Sequence, residues 1–220
     1  MKIVTAETIA GLLSRAAASP RKRINLNLHA ELTDPIRRFL NAGIAGTYVR
    51  PHCHRIGKWE LVSVLQGKLD LVIFTSGGVV KNRVALSSDG ASVAEIPGGD
   101  WHSVVFHAPA AVVLEVKAGP YEPRLDKEFA SWAPLEDDPA AALFVTWLET
   151  AAPGGTSVEL IRRWRLDRTI AQVPAHARRS PAHRRHHRQA AGAAATRRRL
   201  GSFDEHPESF IVKDAGSASV

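Results

Sequence analysis

From Trp59 to Val116 the chain breaks into short runs of alternating, largely β-branched residues separated by turns. No other feature constrains the fold as much. Trp59–Phe74 alternates around Gly67, and Ser76-Gly77-Gly78 marks the next turn. Val79–Leu86 leads into Ser87-Ser88-Asp89-Gly90, and Ala91–Ile96, Trp101–Phe106 and Ala111–Val116 complete the series. Short strands at intervals of roughly 8 to 12 residues, without helices between them, predict an all-β sandwich or barrel and not a βαβ sheet.

The flanking segments read differently. Thr5 to Pro20 places Ile9, Leu12, Leu13 and Ala16 at helical spacing, with Thr5 as cap and Pro20 as stop, which predicts an amphipathic helix over 5–19. Arg21 to His29 alternates strictly: Ile24, Leu26 and Leu28 fall on one face, and Arg23, Asn25, Asn27 and His29 on the other. This is the pattern of a half-buried strand. Its polar face is either solvated or turned into a barrel mouth, where Arg21, Arg23, Asn25, Asn27 and His29 would hold an anionic or hydroxyl-rich ligand. Leu32 to Gly43 carries a capping Asp34, Pro35 at a first helical position and a terminal Gly, and predicts a short helix. On the final strand Glu115 and Lys117 share a face, either lining a pocket or pairing at its rim. Beyond it, Asp126 to Glu136 predicts a wrap anchored by Phe129 and Trp132, and Asp138-Pro139 opens a helix through Phe144 and Trp147.

Two stretches carry chemistry. In Gly46-TYVRPHCHRIGKWELVSVLQ-Gly67, His52 and His54 stand one residue apart and Glu60 follows. Alternation in a strand puts Tyr48, Arg50, His52 and His54 on one side and Cys53 on the other. The second stretch, PGGDWH over 97–102, reads as a tight turn leading into a strand with His102 at its start. A lone His is ordinarily a partly buried or hydrogen-bonded residue. Polar groups gathered on an otherwise apolar strand need a polar partner, however, and a metal ion would serve. His52, His54, Glu60 and His102 are thus a candidate three-His, one-carboxylate site for a divalent ion such as Fe, Mn, Zn or Ni.

The two stretches resemble the paired motifs of the cupins, in which an HxH pair and a following Glu on one hairpin face a His on a second. The gap from His54 to Glu60 is one or two residues longer than the usual pattern, Gly90 stands one residue further from Pro97, and Phe106 replaces the final Asn. Together RKRINLNLH, TYVRPHCH, the KWE after it, PGGDWH and DKEFASWAPLE are similar to the WbuC family of cupin-fold metalloproteins, over about residues 2–150. The resemblance implies a small double-stranded β-helix, or jelly-roll, barrel at about 21–117, flanked by short helices, with a C-terminal wrap and helix over 119–150. It also implies pairing into homodimers and, since some members are encoded among genes for surface polysaccharide synthesis, a link to that process. It supplies no reaction.

Three roles for the ion are open. In an enzyme of isomerase, epimerase or oxygenase type it would be a Lewis acid or O2-activating centre, with Arg21, Arg23, Asn25, Asn27, His29, Tyr48, Arg50 and Lys117 around a sugar or organic acid. In a non-catalytic sensing module the same pocket would bind without turnover. A purely structural ion would more often call for a closed, Cys-rich site.

The formal net charge is +7, yet residues 1–153 hold 16 Lys+Arg against 16 Asp+Glu, and the remainder 13 against 6. The body is balanced and the excess lies at the end. There Arg outnumbers Lys twelve to one, and AHARRSPAHRRHHRQAAGAAATRRR lacks apolar periodicity. Residues 151–220 are therefore expected to form a basic, disordered tail, with one amphipathic helix over 157–170 through Ile161, Trp164 and Leu166. The tail is a solvated extension, a binder of nucleic acid or anionic surfaces, or the product of a GC-rich gene read in a shifted frame; His183, His186 and His187 are not counted as a site. A single Cys excludes an internal disulfide, and no apolar run suits a signal peptide or membrane span, so a cytoplasmic location is expected.

Overall fold

A computed structural model describes residues 1–172 and 209–211. The tail expected from residue 151 is ordered as far as 172; the disorder expected beyond that, and the His cluster there, lie outside the described residues. The chain begins with helix α1 (Ala6–Ala18), capped by Thr5 in a reciprocal capping box with Thr8. Strands β1 (Arg23–Asn27), β2 (Ile36–Ile44), β3 (His52–Cys53), β4 (Glu60–Gln66), β5 (Lys68–Phe74), β6 (Val80–Ser87), β7 (Val93–Ile96), β8 (Trp101–Phe106) and β9 (Ala110–Ala118) follow. The short β10 (Glu128–Phe129), helices α2 (Ala141–Thr150) and α3 (Val158–Gln172), and β11 (Ser209–Ile211) complete the order.

The strands form two sheets, ordered β11-β1-β2-β9-β4-β7 and β10-β3-β8-β5-β6. All pairings are antiparallel except that of β11 with β1. This is the expected mainly-β jelly-roll barrel with short flanking helices. Its interior is closed by side chains from both sheets, among them Val62, Val64, Leu69, Leu71, Phe106 and Val113. Strand alternation sends the intervening residues outward, where each sheet is covered by helix. Leu12 and Ala16 of α1 lie on Leu26, Leu40, Ala42 and Val112, while Phe144 and Leu148 of α2 and Ile161 of α3 cover Val72, Phe74 and Val105. Central strands buried on both faces explain why β5 reads as an almost unbroken apolar run.

One expectation is overturned. The segment Asp34–Gly43 is not a helix; β2 occupies Ile36–Ile44, paired with β1 (Leu26↔Leu40) and with β9 (Leu40↔Leu114). The cap signals are local, and Asp34 spends its carboxylate on Arg38 (2.9 Å) and the Ala30 amide (3.3 Å) instead. Period-two patterning prevails because Leu40 and Ala42 reach α1 while Arg37, Phe39 and Asn41 face the barrel interior. Gly43 serves close packing: a Cβ there would stand 2.8 Å from the Phe106 ring.

Helix α3 begins one residue after the expected start, and its Ile161 is buried in the core formed with α2. The link before it is tied to β6 by two backbone bonds, Val80 N to Gly155 O (2.9 Å) and Gly154 N to Val80 O (2.8 Å). Among the described residues no helix is long and apolar enough to cross a membrane.

Candidate metal centre

His52 lies on β3 directly opposite His102 on β8, and Glu60 opens β4 on the other sheet. His54 follows just after β3. The five-residue gap between His54 and Glu60 closes as a turn in which the Lys58 amide donates to the Arg55 carbonyl (2.9 Å). That turn rests on the PGGDWH segment: Gly99 N donates to His54 O (2.8 Å), and Gly98 passes so close to the carbonyls of Arg55 and Lys58 that a Cβ would collide with them. The two sequence motifs therefore lock together through glycine backbone.

The result is a tight cluster. One ligand atom from each of His52, His54, Glu60 and His102 lies within 4.8 Å of every other. His54, Glu60 and His102 are buried and His52 is half-buried. The imidazoles share one arrangement: Nδ1 of His52 meets Arg50 O (2.9 Å), that of His54 meets Asp126 O (2.6 Å), and that of His102 meets Asp100 O (2.9 Å). A carbonyl only accepts, so each Nδ1 carries the hydrogen, and in the neutral ring the lone pair is then on Nε2. Those lone pairs converge on a carboxylate, with His54 Nε2 2.7 Å and His102 Nε2 3.5 Å from Glu60 Oε2. Acceptors facing acceptors need a cation between them, and backbone-tethered Nδ1–H groups are the usual outer support of His ligands. The residues present fit a divalent ion.

The electrostatics agree. Burial, followed by the neighbouring His102, holds the His52 imidazole neutral, well below its ordinary range. Burial of Glu60 opposes ionisation, but the neighbouring Lys117 ammonium and the polar groups around the carboxylate outweigh it and hold the carboxyl well below its ordinary range. Glu115 lies in the opposite condition: burial first, then the Glu60 charge and their shared hydrogen bond, raise it well above the carboxylate range, so it holds its proton. Asn41 Nδ2 donates to Glu115 Oε1.

The cluster opens on a cavity of about 470 Å³ within the barrel. Of the eight residues the sequence offers for ligand contact, Arg21, Arg23, Asn25, Arg50 and Lys117 line it. Asn27, His29 and Tyr48 do not. Asn27 is buried and accepts from Asn25 Nδ2 (3.1 Å), and His29 is buried with Nδ1 against the Arg38 backbone and its ring edge-on to Phe39. Tyr48 turns to the opposite core, donating to Pro134 O (2.8 Å) and packing against Phe144. The expected sharing of one face by Tyr48 and Arg50 fails because residues 47–51 are not regular strand, so alternation does not apply there.

Glu115 lines the cavity beside Lys117, and the cavity also gathers residues not expected there from the sequence: Arg37 and Asn41 from β2, and Asp126, Phe129 and Glu136 from the wrap. Arg21 and Arg23 converge on Glu136, while Arg37 (2.7 Å) and Lys117 (3.3 Å) hold Asp126. Burial would raise the Asp126 carboxyl, but Lys117 and Arg37 hold it below its usual value. The period-two pattern Arg37-x-Phe39-x-Asn41 is the signal that would have found two of these residues.

A family model described as a domain of unknown function, DUF6016, matches residues 4–86. No match was found among functionally curated proteins. Among solved structures, the capsular polysaccharide assembling protein CapF from Staphylococcus aureus is 21% identical with a TM-score of 0.39, the match covering 44% of this chain and 27% of that one. A cupin superfamily protein from Desulfitobacterium hafniense is 14% identical over 44% of this chain and 76% of its own, with a TM-score of 0.35. KdgF from a Halomonas species is 16% identical over 48% of this chain and 84% of its own, with a TM-score of 0.38. The chain spans about a quarter of CapF.

Proposed function

We propose that this protein is a WbuC-like metal-binding cupin that holds one divalent ion through His52, His54, Glu60 and His102 and uses the adjoining cavity to bind and act on a small anionic ligand. The carrying observation is the convergence of one ring nitrogen from each of three imidazoles and one carboxylate oxygen within 4.8 Å, each imidazole fixed by a backbone carbonyl. A bound ion would supply Lewis acidity to a ligand oxygen, or a centre for O2 chemistry. The chain's own groups do the rest. The cationic rim draws an anion in, and the strand walls exclude water from the cluster. Glu115 holds a proton beside Glu60, where it serves as a hydrogen-bond donor at the cavity wall. A cytoplasmic location belongs to the same proposal, as do a link to surface polysaccharide synthesis and a homodimeric state, the last two resting on the sequence resemblance.

Titrating metal-free protein with Co(II) tests the ligand set directly, because the visible bands of the ion report its coordination. The proposal expects saturation at one equivalent, with bands that His54→Ala and Glu60→Gln each abolish or displace. Bands that neither variant changes would place the ion elsewhere.

A further inference from the structure

The interior side chains change from polar to apolar along β4 and β9 of one sheet and along β8 of the other. On β9 the inward series runs Lys117, Glu115, Val113; on β8 it runs His102, Val104, Phe106; and on β4 Glu60 gives way to Val62. Register sets Glu60 opposite Lys117, Val62 opposite Glu115 and Val64 opposite Val113, so the polar lining reaches one step further along β9 than along β4. Leu69 opposite Phe106, and Ile96 opposite Glu60, complete an apolar lining contributed by both sheets. The polar groups at this depth are Glu115, Asn41 and Asn25, and they are partly committed to protein partners, with Asn41 Nδ2 donating to Glu115 and Asn25 Nδ2 to Asn27. A sugar lying there would set several hydroxyls against carbon without partners, at a cost in affinity for each.

The rim is polar, and its charges are unevenly satisfied. Arg21 and Arg23 share Glu136, and Arg37 and Lys117 share Asp126. Arg50 differs. Its Nη2 donates to the Ala130 carbonyl (2.8 Å) and its guanidinium lies 5.0 Å from the Phe129 ring centroid, but it meets no carboxylate among the described residues. Its Nε is buried without an acceptor. A half-buried guanidinium that lines the cavity two residues from His52 and has no carboxylate partner among the described residues is suited to a carboxylate oxygen.

We infer that the cavity takes a small carboxylate bearing an apolar tail, its carboxylate engaged by Arg50 beside the His cluster and its tail laid on the apolar lining of Val62, Leu69, Ile96, Val104, Phe106 and Val113. This rests on the proposed function in taking the His cluster and the cavity as one site. It narrows the ligand from sugars and acids in general to apolar acids.

The test is calorimetric titration of the metal-reconstituted full chain with acetate, butanoate, hexanoate, 3-phenylpropanoate, neutral 3-phenylpropan-1-ol and glucuronate. Affinity is expected to rise about fourfold per methylene along the alkanoates. Both 3-phenylpropan-1-ol and glucuronate are expected to bind roughly tenfold or more weaker than 3-phenylpropanoate. Arg50→Gln lowers 3-phenylpropanoate affinity to that of the alcohol and leaves the alcohol unchanged. A flat alkanoate series, glucuronate equalling 3-phenylpropanoate, or no binding by any probe overturns the inference. So does a folded Arg50→Gln protein that keeps full carboxylate affinity. The alkanoate series needs no variant, so it decides even if Arg50→Gln fails to fold. Metal content measured on the same samples separates the two claims. A flat series with one ion bound sinks the inference alone, whereas a rising series without any ion sinks the proposed metal site.

Discussion

His52 and His102 face each other across β3 and β8 with ring centroids 4.4 Å apart, and each ring is held by the carbonyl two residues before it, Arg50 O and Asp100 O, both at 2.9 Å. This pair makes the site more than a chance meeting of imidazoles, because both Nε2 atoms are aimed before any ion arrives. The two residues are thereby equivalent supports. His52→Gln and His102→Gln are each expected to weaken binding of a divalent ion by roughly 100-fold or more, beyond the 10- to 100-fold typical of losing an outer partner. Competition against a metal chelator of known affinity measures it, and a variant that binds as tightly as the parent removes that residue from the site.

Gly98 couples the two motifs. A side chain there collides with the carbonyls of Arg55 and Lys58, which form the turn leading to Glu60. Gly98→Ala is expected to cost about 1 to 3 kcal/mol, as overpacking usually does, and to loosen metal binding at the same time. Denaturant unfolding of the metal-free protein, read beside metal affinity, checks both. Lost stability with metal affinity intact would show that the turn does not position Glu60.

Glu136 joins the wrap to β1. Burial opposes its ionisation, but the Arg23 and Arg21 guanidiniums outweigh it and hold the carboxyl below its ordinary value of 4.5. A depressed carboxyl stabilises the fold above its unfolded value, and this contribution is lost as pH falls through the folded value. Glu136→Gln should therefore cost about 1 to 2 kcal/mol at neutral pH, discounted for the exposure of Arg21. The difference from the parent should shrink as pH falls below about 4.5. Unfolding at a series of pH values tests it; a difference that is constant with pH would mean the ion pairs contribute nothing.

Helix α3 belongs to the packed body. Ile161 is 3% exposed within the core that also buries Phe144. Ile161→Ala is expected to lose about 2 to 4 kcal/mol, and Phe144→Ala about 3 to 5 kcal/mol, with one ion still bound by each folded variant. Chemical denaturation with metal analysis of the native fraction measures this, and a neutral Ile161→Ala would detach α3 from the core.

Much of this was legible in the chain itself, for identifiable reasons. The hairpin at Gly67, where φ is +81°, and the strands on either side follow from alternation and one turn residue. The four clustered residues were legible because His52, His54 and Glu60 are close in sequence and His102 follows its own turn. Arg37 and Asn41 were hidden by cap signals at Asp34 and Pro35 that pairing with β1 and β9 overrides. Glu136 and Asp126 were hidden by distance, since they meet Arg21 and Arg37 across 115 and 89 residues. Tyr48 was misplaced because alternation was carried through irregular backbone. Local periodicity reports faces within an element, and it does not report which distant element closes over them.

The most direct test of the account is the metal content of protein purified without added metal, by elemental analysis of the parent beside His102→Ala. The account predicts close to one equivalent of a single divalent ion per chain in the parent and its loss in the variant, with both folded. An ion retained in His102→Ala at the same stoichiometry, or none in the parent even after reconstitution, would contradict it.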